Sequence, residues 1–301
     1  MDSLITLLSV LIPLFLGFFI SVPKLYLRLV DKALVWLVYA ILLLIGVSLS
    51  RVEDLGGQID TIVGSAALLF ACVMGMNLLV LMWFDRRYPQ QTQGGGRKSR
   101  VSIAGSINQL GCVAAGFMLG KVMAGWWLPP ESTGNYCLML MVLLVGVQLR
   151  SSGITLRQVL VNRRGVQTSV LFTVSSLLGG ILFAALVPEV SWSKGLALAS
   201  GFGWYSLSGI VMTEAYGPVW GSIALLNDLS REFFALVFIP VLMRGYPCAA
   251  VGSGGATSLD FTLPVIQSSG GLQVVPLAIS FGFVVNVIAP FLMVVFSNMR
   301  F

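Results

Sequence analysis

Four polar residues inside one apolar run carry the first chemistry. In "LLNDLSREFFALVFIP", spacings of three and four put Asp228 beside Arg231 and Glu232, and Asn227 beside Arg231, on neighbouring faces of one helix. A charge at the centre of a bilayer costs at least ~2.5–3.5 kcal/mol on insertion scales, so such groups face a bundle interior and pair. This spacing sets Arg231 against Asp228 and leaves Glu232 as the unpaired carboxylate. A third acid, Asp260, stands alone in the hydroxyl-rich stretch "GGATSLDFTLPVIQSSGG" (254–271). Glu232 and Asp260 at one depth would make a two-carboxylate site suited to a cationic substrate, to Na⁺ or to a proton. Ser206, Ser208, Thr257 and Ser258 add hydroxyls beside it. Broken helix ends there could hold the charged termini of an amino acid. Asn286, midway along the last apolar run, is either a further ligand or a helix-packing hydrogen bond.

These residues need a membrane around them. Of 301 residues, 57% are hydrophobic and only 10% charged, and mean hydropathy is +0.92. A soluble domain carries about 25% charged residues, so this chain cannot cover itself in water. The expected fold class is an all-α polytopic membrane protein. Eight transmembrane helices are expected at Leu4–Val22, Ala33–Leu49, Thr61–Phe84, Ser102–Leu128, Asn135–Leu149, Gly165–Val187, Val219–Met243 and Leu272–Phe296. The first lacks a basic leading segment and is too long for a signal peptide, so it reads as a retained span. The absence of histidine excludes imidazole metal sites and a Ser-His-Asp triad. Cys72, Cys112, Cys137 and Cys248 lie too far apart for a metal site, and the three in or at the edge of apolar helices read as small buried hydrophobes. No metal and no cofactor is expected.

The net charge of +6 is a topology signal. With the N-terminus outside, Lys24, Arg28, Lys32, Arg86, Arg87, Arg97, Lys98, Arg100, Arg150, Arg157, Arg163, Arg164 and Arg244 fall inside. Only Arg51, Lys194 and Arg300 fall outside, where Glu53, Asp54 and Asp60 also lie. That bias orients the chain with both termini outward and makes nucleic acid an improbable partner; membrane lipid is the expected surroundings. Lys121 snorkels near an outer end, Trp126-Trp127 read as interface anchors, and Glu214 reads as an outer-mouth residue. Segment "DRRYPQQTQGGGRKSRV" (85–101) reads as a basic linker between halves.

Two repeats organise the chain. "LFLGFF" (14–19) and "LLLIGVSL" (42–49) return as "VAAGFM" (113–118) and "VLLVGVQL" (142–149). A three-span unit repeated in tandem inserts upside down, giving inverted repeats. Further on, "GFGWYSLSGI" (201–210) returns as "SGGATSLDFT" (253–262), each followed by a short Gly turn and a long apolar run. Irregular backbone at membrane depth survives only inside protein or beside a water-filled cavity. Paired Gly-interrupted segments therefore point to a transporter's substrate site. Two re-entrant hairpins, in 195–218 from outside and in 247–271 from inside, fit better than ten full crossings, though the charge count barely separates the two.

The runs "GFGWYSLSG…TE…GP…NDLSRE", "GATSLDFTLPV", "VGVQLR" and "LVNRRG" together resemble the bacterial L-lysine exporter family of LysO type, over essentially the whole chain. The resemblance implies a bacterial inner-membrane protein with both termini periplasmic. It implies export of L-lysine and of toxic analogues such as thialysine, by a pair of solvent-exposed intramembrane acids that map onto Glu232 and Asp260. The order of spans and hairpins is also similar, in architecture alone, to the glutamate transporters. That likeness implies a scaffold of two inverted three-helix repeats (1–187) that forms a homo-oligomer, and an elevator-type transport domain (188–301).

The resulting expectation is a non-enzymatic secondary exporter of L-lysine, exchanging it for protons with Na⁺ as the alternative coupling ion. A Na⁺/H⁺-linked cation transporter, or an exporter of another cationic amino acid, is the alternative. An intramembrane aspartyl protease using Asp228 and Asp260 is a remote one, because "TSLD" lacks the Gly-x-Gly-Asp pattern. A passive channel would need a continuous polar lining, whereas the polar residues here cluster at one depth.

Overall fold

The structure is a computed structural model that describes residues 12–13, 16–17, 19–20, 22–51, 55–90, 104–123, 128–130, 133–151, 162–259 and 261–299. Among these residues every regular element is helical. The long helices are α1 (Lys24–Ser50), α2 (Leu55–Arg87), α3 (Ala104–Met123), α4 (Thr133–Ser151) and α5 (Arg163–Leu186). Then come α6 (Trp192–Ala199), α7 (Tyr205–Tyr216), α8 (Pro218–Leu242), α9 (Pro247–Gly254), a 3-10 turn (Gly255–Leu259), α10 (Leu263–Gly270) and α11 (Val275–Asn298). Helical residues 16, 17 and 19 belong to the first expected span. Its N-terminal half, the pair Trp126-Trp127, linker residues 91–101 and Asp260 lie outside the described residues.

Four stretches, Tyr26–Ser50, Gln58–Arg87, Arg163–Leu186 and Val275–Asn298, are long and apolar enough to cross a bilayer. The protein is a multi-pass membrane protein. The helices α1 to α5, α8 and α11 each overlap one of the expected spans, while α6, α7, α9 and α10 lie outside them; α1 starts at Lys24 and α2 at Leu55, before the apolar runs begin. A helix ends only where its backbone hydrogen bonds stop, so both helices extend through the polar residues that precede the apolar runs.

The chain divides into two compact units. The first holds Met1–Val63, Gly105–Thr155 and Ser206–Leu225. Here α1 packs on α4, and Gln148 donates to Asp31 at 2.9 Å. The glycines of the repeated motifs meet reciprocally. A Cβ on Gly17 would fall on the backbone of Leu143, Gly146 and Val147, and a Cβ on Gly46 would fall on Val113, Gly116 and Phe117. The repeat aligns Gly17 with Gly116 and Gly46 with Gly146, so one contact is the image of the other. In the same unit, α7 lies against the start of α8, where Gly221 leaves room for Gly209 and Thr213.

The second unit holds Gly64–Ala104, Leu156–Tyr205 and Leu226–Phe301. Asn162 caps α5, its side chain accepting from Gly165 N at 2.9 Å. Ser191 caps α6, which runs back along the C-terminal half of α5. Gly180 and Gly195 allow that close approach, since a Cβ on either would strike the other's carbonyl. The segment after α8 leaves from Met243, enters α9, turns through Gly255–Leu259 and returns in α10. Gly270, the last residue of α10, closes on Met243, whose Sδ lies 2.8 Å from where a Cβ would stand. Leu277 and Ser280, in the first turns of α11, pack at Gly165 near the start of α5.

Candidate functional site

Helix α8 carries the charged group. Asn227, Asp228, Arg231 and Glu232 are all buried, none more than 3% exposed. Two helix breaks arrive beside them. The break after α6 turns through Phe202 (φ 53°) and Gly203 (φ 91°), and the break after α9 turns through Gly255 (φ 58°). All three backbones are left-handed, a region that suits glycine and strains phenylalanine. The breaks bond to each other: Ala256 N donates to Phe202 O at 2.8 Å. A broken helix leaves backbone groups without intrahelical partners, and here each break satisfies part of the other.

Asp228 tethers the first break. Its Oδ1 accepts from Gly203 N at 3.1 Å and from Asn227 Nδ2 at 2.9 Å. Arg231 meets the second, Nη1 donating to Gly252 O at 3.4 Å. Its guanidinium lies 5.2 Å over the Phe172 ring, and that ring meets Phe202 and Phe281 edge-on at 5.3 and 5.1 Å. Asp228 is the opposite charge that acts on Arg231. The pairing expected from helix spacing is therefore electrostatic, while the described hydrogen bonds of Asp228 go to the first break and to Asn227, and that of Arg231 goes to the second break. Broken backbone offers N–H and C=O groups without intrahelical partners, and these take part of the bonding.

The remaining candidate residues divide between the units. Thr257 Oγ1 donates to Gly254 O at 2.8 Å, and Ser258 Oγ to Val251 O at 2.6 Å, so both hydroxyls brace the second break. Asn286 Nδ2 donates to Ala256 O and to Gly282 O, each at 2.8 Å. Of the two roles left open for Asn286, these bonds are those of the packing role. Ser206 and Ser208 fall in the first unit; Ser206 Oγ lies 3.4 Å from Met141 Sδ. Glu214 is exposed and lines a cleft of about 410 Å³ in that unit with Ser48, Arg51, Pro129, Pro130 and Thr213. Among the described residues no group of three or more Cys, Asp or Glu could hold a metal ion.

A second polar cluster was not foreseen from the sequence. Asp85, at the end of α2, is 1% exposed. Its Oδ1 accepts from Arg164 Nη2 at 3.0 Å, and its Oδ2 from Ala249 N at 3.0 Å. Arg164 also donates to Cys248 Sγ at 3.2 Å and to Tyr88 O at 2.6 Å. One carboxylate thus joins α2, α5 and the first turn of α9, where an anion also favours the helix dipole. Arg86 adds a bond to Tyr246 Oη at 3.1 Å. Arg164 and Arg86 entered the sequence reading as topology markers only. The signal for this cluster was a lone acid, Asp85, at the head of a basic segment.

Comparison with known proteins follows this geometry. The sequence model of a family described as "Lysine exporter LysO" matches residues 110–297. An Escherichia coli K12 protein named "Lysine exporter LysO" is 40% identical over 295 residues, covering 97% of this chain and 98% of its own. A Haemophilus influenzae protein named "Putative lysine exporter" is 47% identical over 189 residues, covering 63% of this chain and 96% of its own. No solved structure matches. A family match over more than half of the chain, with 40% identity along nearly its full length, means that the chain belongs to the lysine exporter LysO family.

Proposed function

We propose that this protein exports L-lysine and analogues such as thialysine across a bacterial inner membrane, by proton antiport, with both termini periplasmic. One observation carries the reading: two broken elements meet beside a buried Asn-Asp-Arg-Glu cluster in the middle of a long apolar helix. Two half-helix breaks facing charged groups are how secondary transporters build a midplane site. The lysine ammonium groups lie against Glu232 and Asp260 when bound, and protonation of one carboxylate accompanies release outside. The same residues would serve Na⁺ as coupling ion, and the gradient experiment below separates the two.

The hairpin reading of 195–218 and 247–271, on eight spans, is supported by the return of α10 to Met243 and by the antiparallel course of α6 along α5. The inverted repeat is supported by the reciprocal glycine contacts of the first unit. In the elevator reading, 1–187 is an oligomeric scaffold and 188–301 the moving part. This functional division is distinct from the division by packing.

The test is lysine uptake into everted membrane vesicles, where export points inward. An acid lumen drives uptake if protons are exchanged, and a Na⁺-loaded lumen if Na⁺ is. Glu232→Gln and Asp260→Asn are each expected to abolish gradient-driven uptake. Full uptake in both variants would sink the paired-carboxylate mechanism.

A further inference from the structure

We infer that Arg231 receives the carboxylate of the transported molecule, so that the site takes amino acids with a free carboxylate and rejects the corresponding amines. The inference rests on the transport reading and names the chemistry of that site.

Arg231 is 2% exposed and is the bulkiest of the fully buried side chains. A guanidinium carries five N–H donors and stays charged. Among the described residues it makes one hydrogen bond, the 3.4 Å contact to Gly252 O, and its buried Nε has no hydrogen-bond partner. A buried cation so weakly bonded is costly, because a charge leaves water at small cost only when its donors are taken up. Phe172 covers one face of the guanidinium. That contact favours the cation but leaves the in-plane donors unused. The hydrogen bonds described for Asp228 go to Gly203 N and Asn227 Nδ2. The edge of an arginine that includes Nε is the edge that takes a carboxylate bidentately.

The surroundings keep that group in place. The breaks pass close along the arginine stem: a Cβ at Gly203 would stand 2.9 Å from Arg231 Cδ, and one at Gly255 3.2 Å from it. A side chain at Gly203 would press on the arginine stem, and one at Gly255 would strike the Phe202 carbonyl first. Charge completes the argument. A lysine zwitterion offers two ammonium groups and one carboxylate. With Asp228 engaged at the first break, Glu232 and Asp260 suit the ammonium groups and Arg231 the carboxylate. A diamine would leave the free donor edge of Arg231 without an acceptor and add a cation close to it.

The experiment is lysine counterflow in proteoliposomes of the purified full chain. Unlabelled lysine, lysinamide and cadaverine are the competitors; lysinamide lacks the carboxylate charge, and cadaverine lacks the group altogether. For the native protein, lysine is expected to compete at least about tenfold better than either analogue, the loss expected for one charge-assisted hydrogen bond. In Arg231→Gln and in Arg231→Lys, which keeps the charge but loses the planar fork, lysine is expected to fall to the level of cadaverine. Equal competition by cadaverine in the native protein overturns the inference and needs no variant to fold. So does an unchanged lysine-to-cadaverine ratio in either variant. If the native protein shows no lysine counterflow at all, the transport reading itself fails, and that outcome is distinct from a failure of selectivity.

Discussion

Asp85 binds three helices through two oxygens, and neither Arg164 nor the α9 N-terminus has another anion described at that place. Removing a carboxylate from a buried pair leaves its partner's charge and a backbone N–H without their acceptor. Arg164 keeps some access to solvent, its side chain 23% exposed, and that screening reduces the penalty. Asp85→Ala is expected to lower stability by about 1–3 kcal/mol, read as a lower midpoint of thermal unfolding in detergent. Asp85→Asn should retain part of this, because its amide oxygen can still accept one of the two bonds. A midpoint unchanged in Asp85→Ala would mean the cluster adds nothing to stability.

At the scale of elements, the two breaks depend on backbone that only glycine adopts without strain. Gly255 needs φ 58°, and a Cβ there would run into the Phe202 carbonyl. Gly255→Ala is expected to cost about 2–4 kcal/mol and to impair transport, because the mutual bond between the breaks is lost. Gly245 is the control: it is exposed and a Cβ there meets nothing within 4 Å. Gly245→Ala should stay within about 0.5 kcal/mol of the native protein, measured in the same unfolding series. Equal stability of the two variants would count against the strained crossing. The elements themselves were readable from sequence, since Gly-Ser-Thr-rich segments between long apolar runs point to broken helices. That the break backbones bond to one another was not readable, because a hydrogen bond between residues 202 and 256 leaves no local pattern.

For the whole molecule, orientation is the open test of the hairpins. Ala215 follows the first broken element and Gly245 precedes the second, and both are exposed. With re-entrant hairpins and an outward N-terminus, Ala215→Cys should react with an impermeant maleimide from the periplasmic side and Gly245→Cys only from the cytoplasmic side. The measurement belongs in a background without the four native cysteines, since Cys112 and Cys137 are only partly buried. Swapped accessibility of the two positions would mean that both broken elements cross fully.

Composition alone determined that this chain lives in a membrane, because 57% hydrophobic residues against 10% charged leave no polar surface to face water. Apolar length set the expected spans, and the recurrence of "LLLIGVSL" as "VLLVGVQL" set the expected repeat. The charged residues of α8 were conspicuous because ionisable groups in an apolar run are costly and rarely idle. Tertiary structure decided the partners of Asp228 and Arg231, and of Asp85 on α2. Asp228 binds the first break, Arg231 lies over Phe172, and Asp85 joins three helices. Sequence spacing reports neighbours along one helix, whereas these partners are backbone groups and side chains brought in by other elements. Only the folded chain sets the distances between them.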